Sequence, residues 1–159
     1  MKIKTGIGFD VHKLEPGLDF WLGGIKIEHE KGFVAHSDGD VLLHAICDAL
    51  LGAAGLGDIG LHFPDTCPAY KGIDSKILLK KTTDLVENKG FAISNVDTVV
   101  ALQKPKLRPH IDEMRKCIAD ILELDIDDMS IKATTTEHLG YEGREEGVSA
   151  YATVLLYKL

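Results

Sequence analysis

Apolar residues return every three or four positions from Val41 to Leu50 (Val41, Leu42, Ala45, Ile46, Ala49, Leu50), the spacing of one buried helical face. The pattern predicts a helix over 39–54, capped by Ser37 or Asp38. Gly52, Gly55, Gly57 and Gly60 end it and open a flexible loop that runs on to Gly72. A second helix is predicted over 75–89, with Asp74 or Ser75 as cap and Gly90 just past its end. A third, over 109–123, opens on Pro109, whose fixed φ suits a first turn. Strand patterns lie between the helices. Residues 2–9 read as a first strand whose glycines allow close backbone approach. Phe20-Trp21-Leu22 and Ile25-Lys26-Ile27 flank Gly23-Gly24, a two-residue hairpin turn. Ile93 to Leu102 is Val-rich and reads as a buried strand, Ser130 to Thr136 as another, and Val148 to Tyr157 as a closing one. Residues 104–109 and the glycine-rich 137–147 read as loops.

The order strand, hairpin, helix, helix, strand, helix, strand, strand predicts an α+β fold: a mixed sheet with helices on one face and a small hairpin beside it. A single domain over 1–159 is expected from the length. The closing strand puts Val148, Ala150, Ala152, Val154 and Leu156 on one side and Ser149, Tyr151, Thr153, Leu155 and Tyr157 on the other. Both sides are largely apolar, which favours burial of the second face in an oligomer over a monomer with an exposed Tyr/Thr face.

Composition narrows the partners. A hydrophobic content of 45% and a charged content of 27% are those of an ordinary globule. A net charge of −7 offers no basic surface for nucleic acid, so an anionic ligand needs local positive charge or helix N-termini. Cys47, Cys67 and Cys117 show no C-x-x-C spacing and read as reduced residues of a cytoplasmic protein. Met1 to Lys4 run straight into a strand, so no leader is expected, and no apolar run approaches the ~20 residues of a membrane helix.

Candidate chemistry centres on Gly8-Phe9-Asp10-Val11-His12. On an extended chain Asp10 and His12 share a face, and His44 follows 32 residues after His12 on the predicted helix. Two imidazoles and a carboxylate are what a catalytic zinc takes, with a fourth position left for substrate or water. Asp-x-His alone reads first as a hydrogen-bonded pair at a strand end; the company of His36, Asp38, Asp40, His44 and Asp48 raises the metal reading. Asp48, one turn beyond His44, is expected to orient that histidine. No G-x-x-x-x-G-K-[ST] phosphate loop or G-x-S-x-G elbow is present, and Gly55 to Gly60 matches a dinucleotide fingerprint in letters only, since it follows a helix. Thr134-Thr135-Thr136-Glu137 offers hydroxyls and N–H groups to phosphate oxygens, or simply reflects β-propensity.

These segments, with Ala35 to Ala45, Gly57 to Gly60, Phe63-Pro64-Asp65-Thr66, Pro105-Lys106-Leu107 and Lys132 to Glu137, closely resemble the 2-C-methyl-D-erythritol 2,4-cyclodiphosphate synthase family along essentially the whole chain. The resemblance implies an enzyme of non-mevalonate isoprenoid precursor synthesis, a cyclising phosphorus–oxygen lyase. Its substrate, 4-diphosphocytidyl-2-C-methyl-D-erythritol 2-phosphate, closes on itself and releases CMP. It implies zinc, one per subunit, on Asp10, His12 and His44, and Mg2+ or Mn2+ on Glu137 with the substrate diphosphate. It implies His36 and Thr135 as stabilisers of the transition state, and His36 and Ser37 as phosphate contacts, with Asp10, Val11 and His12 lining the same site. Asp58, Ile59 and Gly60, continued by Phe63, Pro64, Asp65, Thr66 and Cys67, would hold the methylerythritol. Leu102, Gln103, Lys104, Pro105, Lys106, Leu107 and Arg108 would form the cytidine pocket, and Thr134, Thr135, Thr136 and Glu137 the phosphate cradle. The family is a homotrimer packed through its sheets, with active sites between subunits. Its central cavity can hold an isoprenoid diphosphate, closed here by Tyr141 and Arg144.

Four positions depart from the family. Cys67 replaces a usual Asp, Leu102 a usually small residue, and Glu142 and Glu145 add negative charge beside Arg144. His29, His62 and His110 are read as surface or loop residues, and His138 either influences the second metal or faces solvent. Two other activities fit parts of the pattern: a zinc phosphoesterase using Asp58 or Asp65 to activate water, and a binding protein for isoprenoid diphosphates whose active site has decayed.

Overall fold

Glycine sets the contact on which the structure turns. In the computed structural model, which describes all 159 residues, β1 (Ile3–Pro16) passes beneath α1 (Val41–Ala54) at Gly6 and Gly8. A Cβ on Gly8 would lie 1.9 Å from the carbonyl oxygen of Ala45, and one on Gly6 2.0 Å from that of Ala49. Only glycine lets helix and strand approach this closely, and α1 presents buried Ala45, Ala49 and Ala53 to match.

The sheet has five strands in the order β4 (Lys31–Val34), β1, β7 (Gly147–Lys158), β5 (Phe91–Ala101) and β6 (Met129–Thr134). Every pairing is antiparallel except β5 with β6, which is parallel. β2 (Phe20–Leu22) and β3 (Ile25–Ile27) form the separate hairpin. Gly23 and Gly24 both take positive φ, 62° and 81°, as a two-residue turn of this hand requires. α1, α3 (Ser75–Asn88) and α4 (Ile111–Leu122) supply the core on one face of the sheet. On β7 the residues Val148, Ala150, Ala152, Val154 and Leu156 are buried beneath them. The expected α+β class with a mixed sheet, helices on one face and a hairpin is what the chain adopts.

The opposite face is open and apolar. Ile3, Ile7, Phe9 and Val11 of β1 and Tyr151 and Tyr157 of β7 are exposed there, Ile7 by 74%, and the Phe9 and Tyr151 rings stack tilted at 5.0 Å.

Several boundaries differ from expectation. β1 continues well past Phe9, so Asp10 and His12 sit inside a paired strand rather than at its end. β4, which carries no alternating pattern, is recruited by pairing with Lys13 to Pro16. α1 starts at Val41 with Asp40 as its cap, not Ser37 or Asp38, because the Asp40 side chain accepts the Leu43 N–H. Pro109 lies in a 3-10 turn, Arg108–His110, ahead of α4. The two expected loops contain short helices, α2 (Ile59–His62) and α5 (Gly140–Gly143).

Candidate active site

The close approach of α1 to β1 builds the site. Asp10 and His12 alternate onto the helix-covered face of β1, and His44 descends from the first turn of α1. Asp10 Oδ2 lies 3.1 Å from both His12 Nε2 and His44 Nδ1, and the two nitrogens are 3.0 Å apart. Ligand atoms of a tetrahedral zinc with bonds near 2.0–2.1 Å stand about 3.3 Å apart. The triangle is a slightly contracted version of that edge, and its N,N,O donor set fits a divalent metal. Burial would raise the Asp10 carboxyl, but hydrogen bonds and charge from His12 and His44 outweigh it and hold the group well below the usual carboxylate range.

The triangle lines a cavity of about 400 Å3 together with His36, Ser37, Ile59, Gly60, Phe63, Pro64, Asp65 and Thr66. The sequence-predicted metal ligands, phosphate contacts and most of the methylerythritol loop therefore meet in one place. Asp58 stands at the edge, capping α2 through the Leu61 N–H at 3.0 Å. Cys67 contributes main chain: His36 Nε2 is 3.2 Å from its carbonyl oxygen. A cysteine in place of a carboxylate leaves that contact intact.

Asp48 does not orient His44. Its carboxylate accepts the Ile59 N–H at 3.0 Å and anchors α2 to α1. His44 Nε2 instead meets Ser75 Oγ at 2.8 Å and, less closely, Ser37 Oγ at 3.3 Å. Ser75 was legible only as a helix cap; nothing local marks it as a partner of a histidine 31 residues away.

A second cavity, of about 600 Å3, is lined by Leu102, Gln103, Lys104, Pro105, Lys106, Leu107 and Arg108 on one side and Ile131 to Thr135 on the other. Parallel pairing of β5 with β6 sets Ala101 beside Thr134, and the Leu102 N–H extends it to the Thr134 carbonyl at 3.0 Å. The Lys104–Pro105 peptide is cis. Just beyond β6, Glu137 and His138 take left-handed backbone conformations, φ 56° and 62°, uncommon for side-chain-bearing residues. The turn is held by the Glu137 N–H on Thr135 Oγ1 at 3.3 Å and the His138 N–H on Gln103 Oε1 at 3.2 Å. Thr136 closes the turn by donating to the Leu139 carbonyl at 2.6 Å.

Within one chain the two cavities stay apart and share no lining residue. Asp10 pairs with Ala150, Ala150 with Val100, and Val100 with Ala133; three strand spacings are roughly 14 Å. Tyr141 and Arg144 belong to neither cavity. The Tyr141 hydroxyl hydrogen-bonds Ser149, and Arg144 Nε donates to Glu146 at 2.9 Å rather than pairing with Glu142 or Glu145. Of the unassigned histidines, His62 Nε2 meets the Leu56 carbonyl at 2.8 Å and His29 packs edge-on against Phe20.

Fold and site together define an α+β protein with a metal-binding type of triad where one strand meets one helix. Residues 3–157 match the model of the YgbB family, and the chain belongs to that family. It is 60% identical over 159 residues to the 2-C-methyl-D-erythritol 2,4-cyclodiphosphate synthase of Bacteroides fragilis, covering all of both chains. A solved 2C-methyl-D-erythritol-2,4-cyclodiphosphate synthase in a CDP-bound form superposes with a TM-score of 0.90 at 40% identity, over 97% of this chain and all of that one. The bifunctional IspDF from Campylobacter jejuni gives 0.96 at 46% identity, over 99% of this chain and 43% of that longer one. The family expected from the motifs is the family found.

Proposed function

We propose that this chain converts 4-diphosphocytidyl-2-C-methyl-D-erythritol 2-phosphate to 2-C-methyl-D-erythritol 2,4-cyclodiphosphate and CMP. The observation that carries the reading is the Asp10–His12–His44 triangle opening on a loop-lined cavity, in a chain matching synthases of that name end to end. In the reaction an oxygen of the 2-phosphate attacks the β-phosphorus. The new P–O bond closes the ring, and the bond to the α-phosphate breaks to release CMP. No protein nucleophile is required: burial pushes the Cys47 thiol up to about 12, and Cys67 meets His36 through its main-chain carbonyl. Catalysis is then positioning and charge stabilisation.

Asp10, His12 and His44 would hold zinc, and Glu137 Mg2+ or Mn2+; such ions, when bound, neutralise and orient phosphate oxygens. His36 and Ser37 would contact the attacking phosphate, and the Thr135 hydroxyl the developing charge. Asp58 to Gly60 and Phe63 to Cys67 would hold the methylerythritol. Leu102 to Arg108 would enclose the cytidine, with Lys106 as its cation, and Thr134 to Glu137 would cradle the diphosphate. Two observations support a homotrimer with sites between subunits: the cavities lie roughly 14 Å apart in one chain, and the open sheet face is apolar. Tyr141 and Arg144 would close a central cavity for an isoprenoid diphosphate, with Arg144 released from Glu146. Three unpaired cysteines and bacterial relatives support a cytoplasmic setting, and no helix is long and apolar enough to cross a membrane.

A phosphorus NMR time course with the substrate, zinc and magnesium tests the reading. A coupled cyclic-diphosphate pair appearing with CMP, and lost in His44→Ala, is the expected result. Release of inorganic phosphate would replace the proposal with a phosphoesterase. A zinc-loaded trimer without turnover would point to a binding protein.

A further inference from the structure

We propose that Asp38 and Ser75 are positioning residues that set the tautomer of His44 and so aim its Nδ1 lone pair into the Asp10–His12–His44 triangle. The inference rests on the metal-site reading above and deepens it.

The direction of each proton follows from the donor inventory. Ser75 Oγ lies within hydrogen-bond distance of only two side chains, Asp38 Oδ1 and His44 Nε2, at 2.5 and 2.8 Å. The Asp38 carboxylate only accepts, so the one hydroxyl proton of Ser75 points to Asp38. The Ser75 oxygen must then accept from His44, which places the imidazole proton on Nε2. A neutral imidazole carries one proton, so Nδ1 is bare. That nitrogen is the one 3.1 Å from Asp10 Oδ2 and 3.0 Å from His12 Nε2. Without metal, the His12 Nε2–H can serve both neighbours. With metal, all three atoms present lone pairs to one point.

The chain of groups is rigid. Ser75 is fully buried at the first turn of α3. Asp38 also accepts the main-chain N–H groups of Ser75 at 2.8 Å and Asp40 at 3.0 Å. Two backbone bonds zip the same segments together, Gly72 N–H to the His36 carbonyl at 2.6 Å and Asp38 N–H to the Ile73 carbonyl at 3.1 Å. The hydroxyl is thus delivered to His44 from the start of one helix and the carboxylate from the loop before another. A hydrogen bond running toward a carboxylate also raises the basicity of the ligating nitrogen. Ser37 Oγ, at 3.3 Å, is a longer and already shared alternative, since it accepts the Gly39 N–H at 3.2 Å.

Two measurements on the full-length protein test this. Long-range proton–nitrogen spectra of the metal-free protein at mildly alkaline pH are expected to show His44 protonated at Nε2. Zinc affinity by chelator competition is expected to fall about 10–100-fold in Ser75→Ala, with loss of the single tautomer and a cooperative thermal transition retained. Asp38→Asn lets an amide donate to Ser75, which can then donate to His44 Nε2; the spectrum is expected to move toward the Nδ1–H form. This second variant decides the matter if Ser75→Ala fails to fold. A wild-type His44 protonated at Nδ1, or a Ser75→Ala protein with unchanged tautomer and unchanged zinc affinity, would overturn the proposal. A wild-type protein without zinc affinity would sink the metal-site reading, while the tautomer spectrum would still decide the relay.

Discussion

Asp40 shows how much one buried carboxylate can organise. It is fully buried, yet its oxygens accept the N–H groups of Gly23 at 3.0 Å, Gly24 at 2.7 Å and Leu43 at 3.1 Å. One side chain thereby caps α1, four residues before His44, and clamps the β2–β3 turn against it. Burial pushes its carboxyl up to about 6, against the opposing pull of those N–H groups. A carboxyl more basic in the folded state than in the unfolded state binds its proton more tightly when folded. The folded state is therefore favoured below the ordinary carboxylate range, and that advantage is lost as pH rises through about 6. Urea unfolding across this window is expected to show stability falling with rising pH, by up to about 3 kcal/mol from this group. Asp40→Asn should remove that part of the slope.

At the scale of elements, the packing of α1 on β1 determines whether the triad exists at all. Gly8→Ala places a methyl 1.9 Å from the Ala45 carbonyl oxygen, and neither backbone can yield without moving the helix. A loss of about 3 kcal/mol is expected, together with weaker zinc binding because His44 is lifted with its helix. Gly52→Ala is the contrasting case on the same helix. A Cβ there meets nothing within 4 Å, so helix propensity alone acts and a gain of up to about 1 kcal/mol is expected. Denaturant midpoints of the two variants, with zinc titrations, separate close approach from propensity.

At the scale of the molecule, the helix-free sheet face of a single chain is open and apolar. Phe9 and Tyr151 stack in its middle, where a second subunit would cover them in the proposed trimer. Phe9→Lys puts a charge on this face at a cost on the order of a few kcal/mol once covered. Sedimentation velocity is expected to show monomers. Circular dichroism should stay unchanged, because the side chain points away from the helices, and turnover should be lost with the shared site.

Local pattern by itself determined a good deal. Helical periodicity located α1, a cap and a terminal glycine located α3, a first-turn proline located α4, the Gly-Gly pair located the hairpin, and alternation in the last strand exposed its two-sided character. Alternation also placed Asp10 and His12 on one face, and the quoted motifs placed the chain in its family. These features are legible because they depend on residues a few positions apart, where backbone geometry alone relates side chains. What depends on distant segments was decided only in three dimensions. β4 exists because Lys13 to Pro16 pair with it. Asp48 spaces correctly for His44 but is drawn away by the Ile59 N–H. Ser75 reads as a cap and becomes the partner of His44 because α3 happens to start beside it. Glu137 turns left-handed because Thr135 and Gln103 take the N–H groups around it. Hydrogen-bond donors and acceptors choose among all neighbours in space, and a sequence displays only the neighbours along the chain.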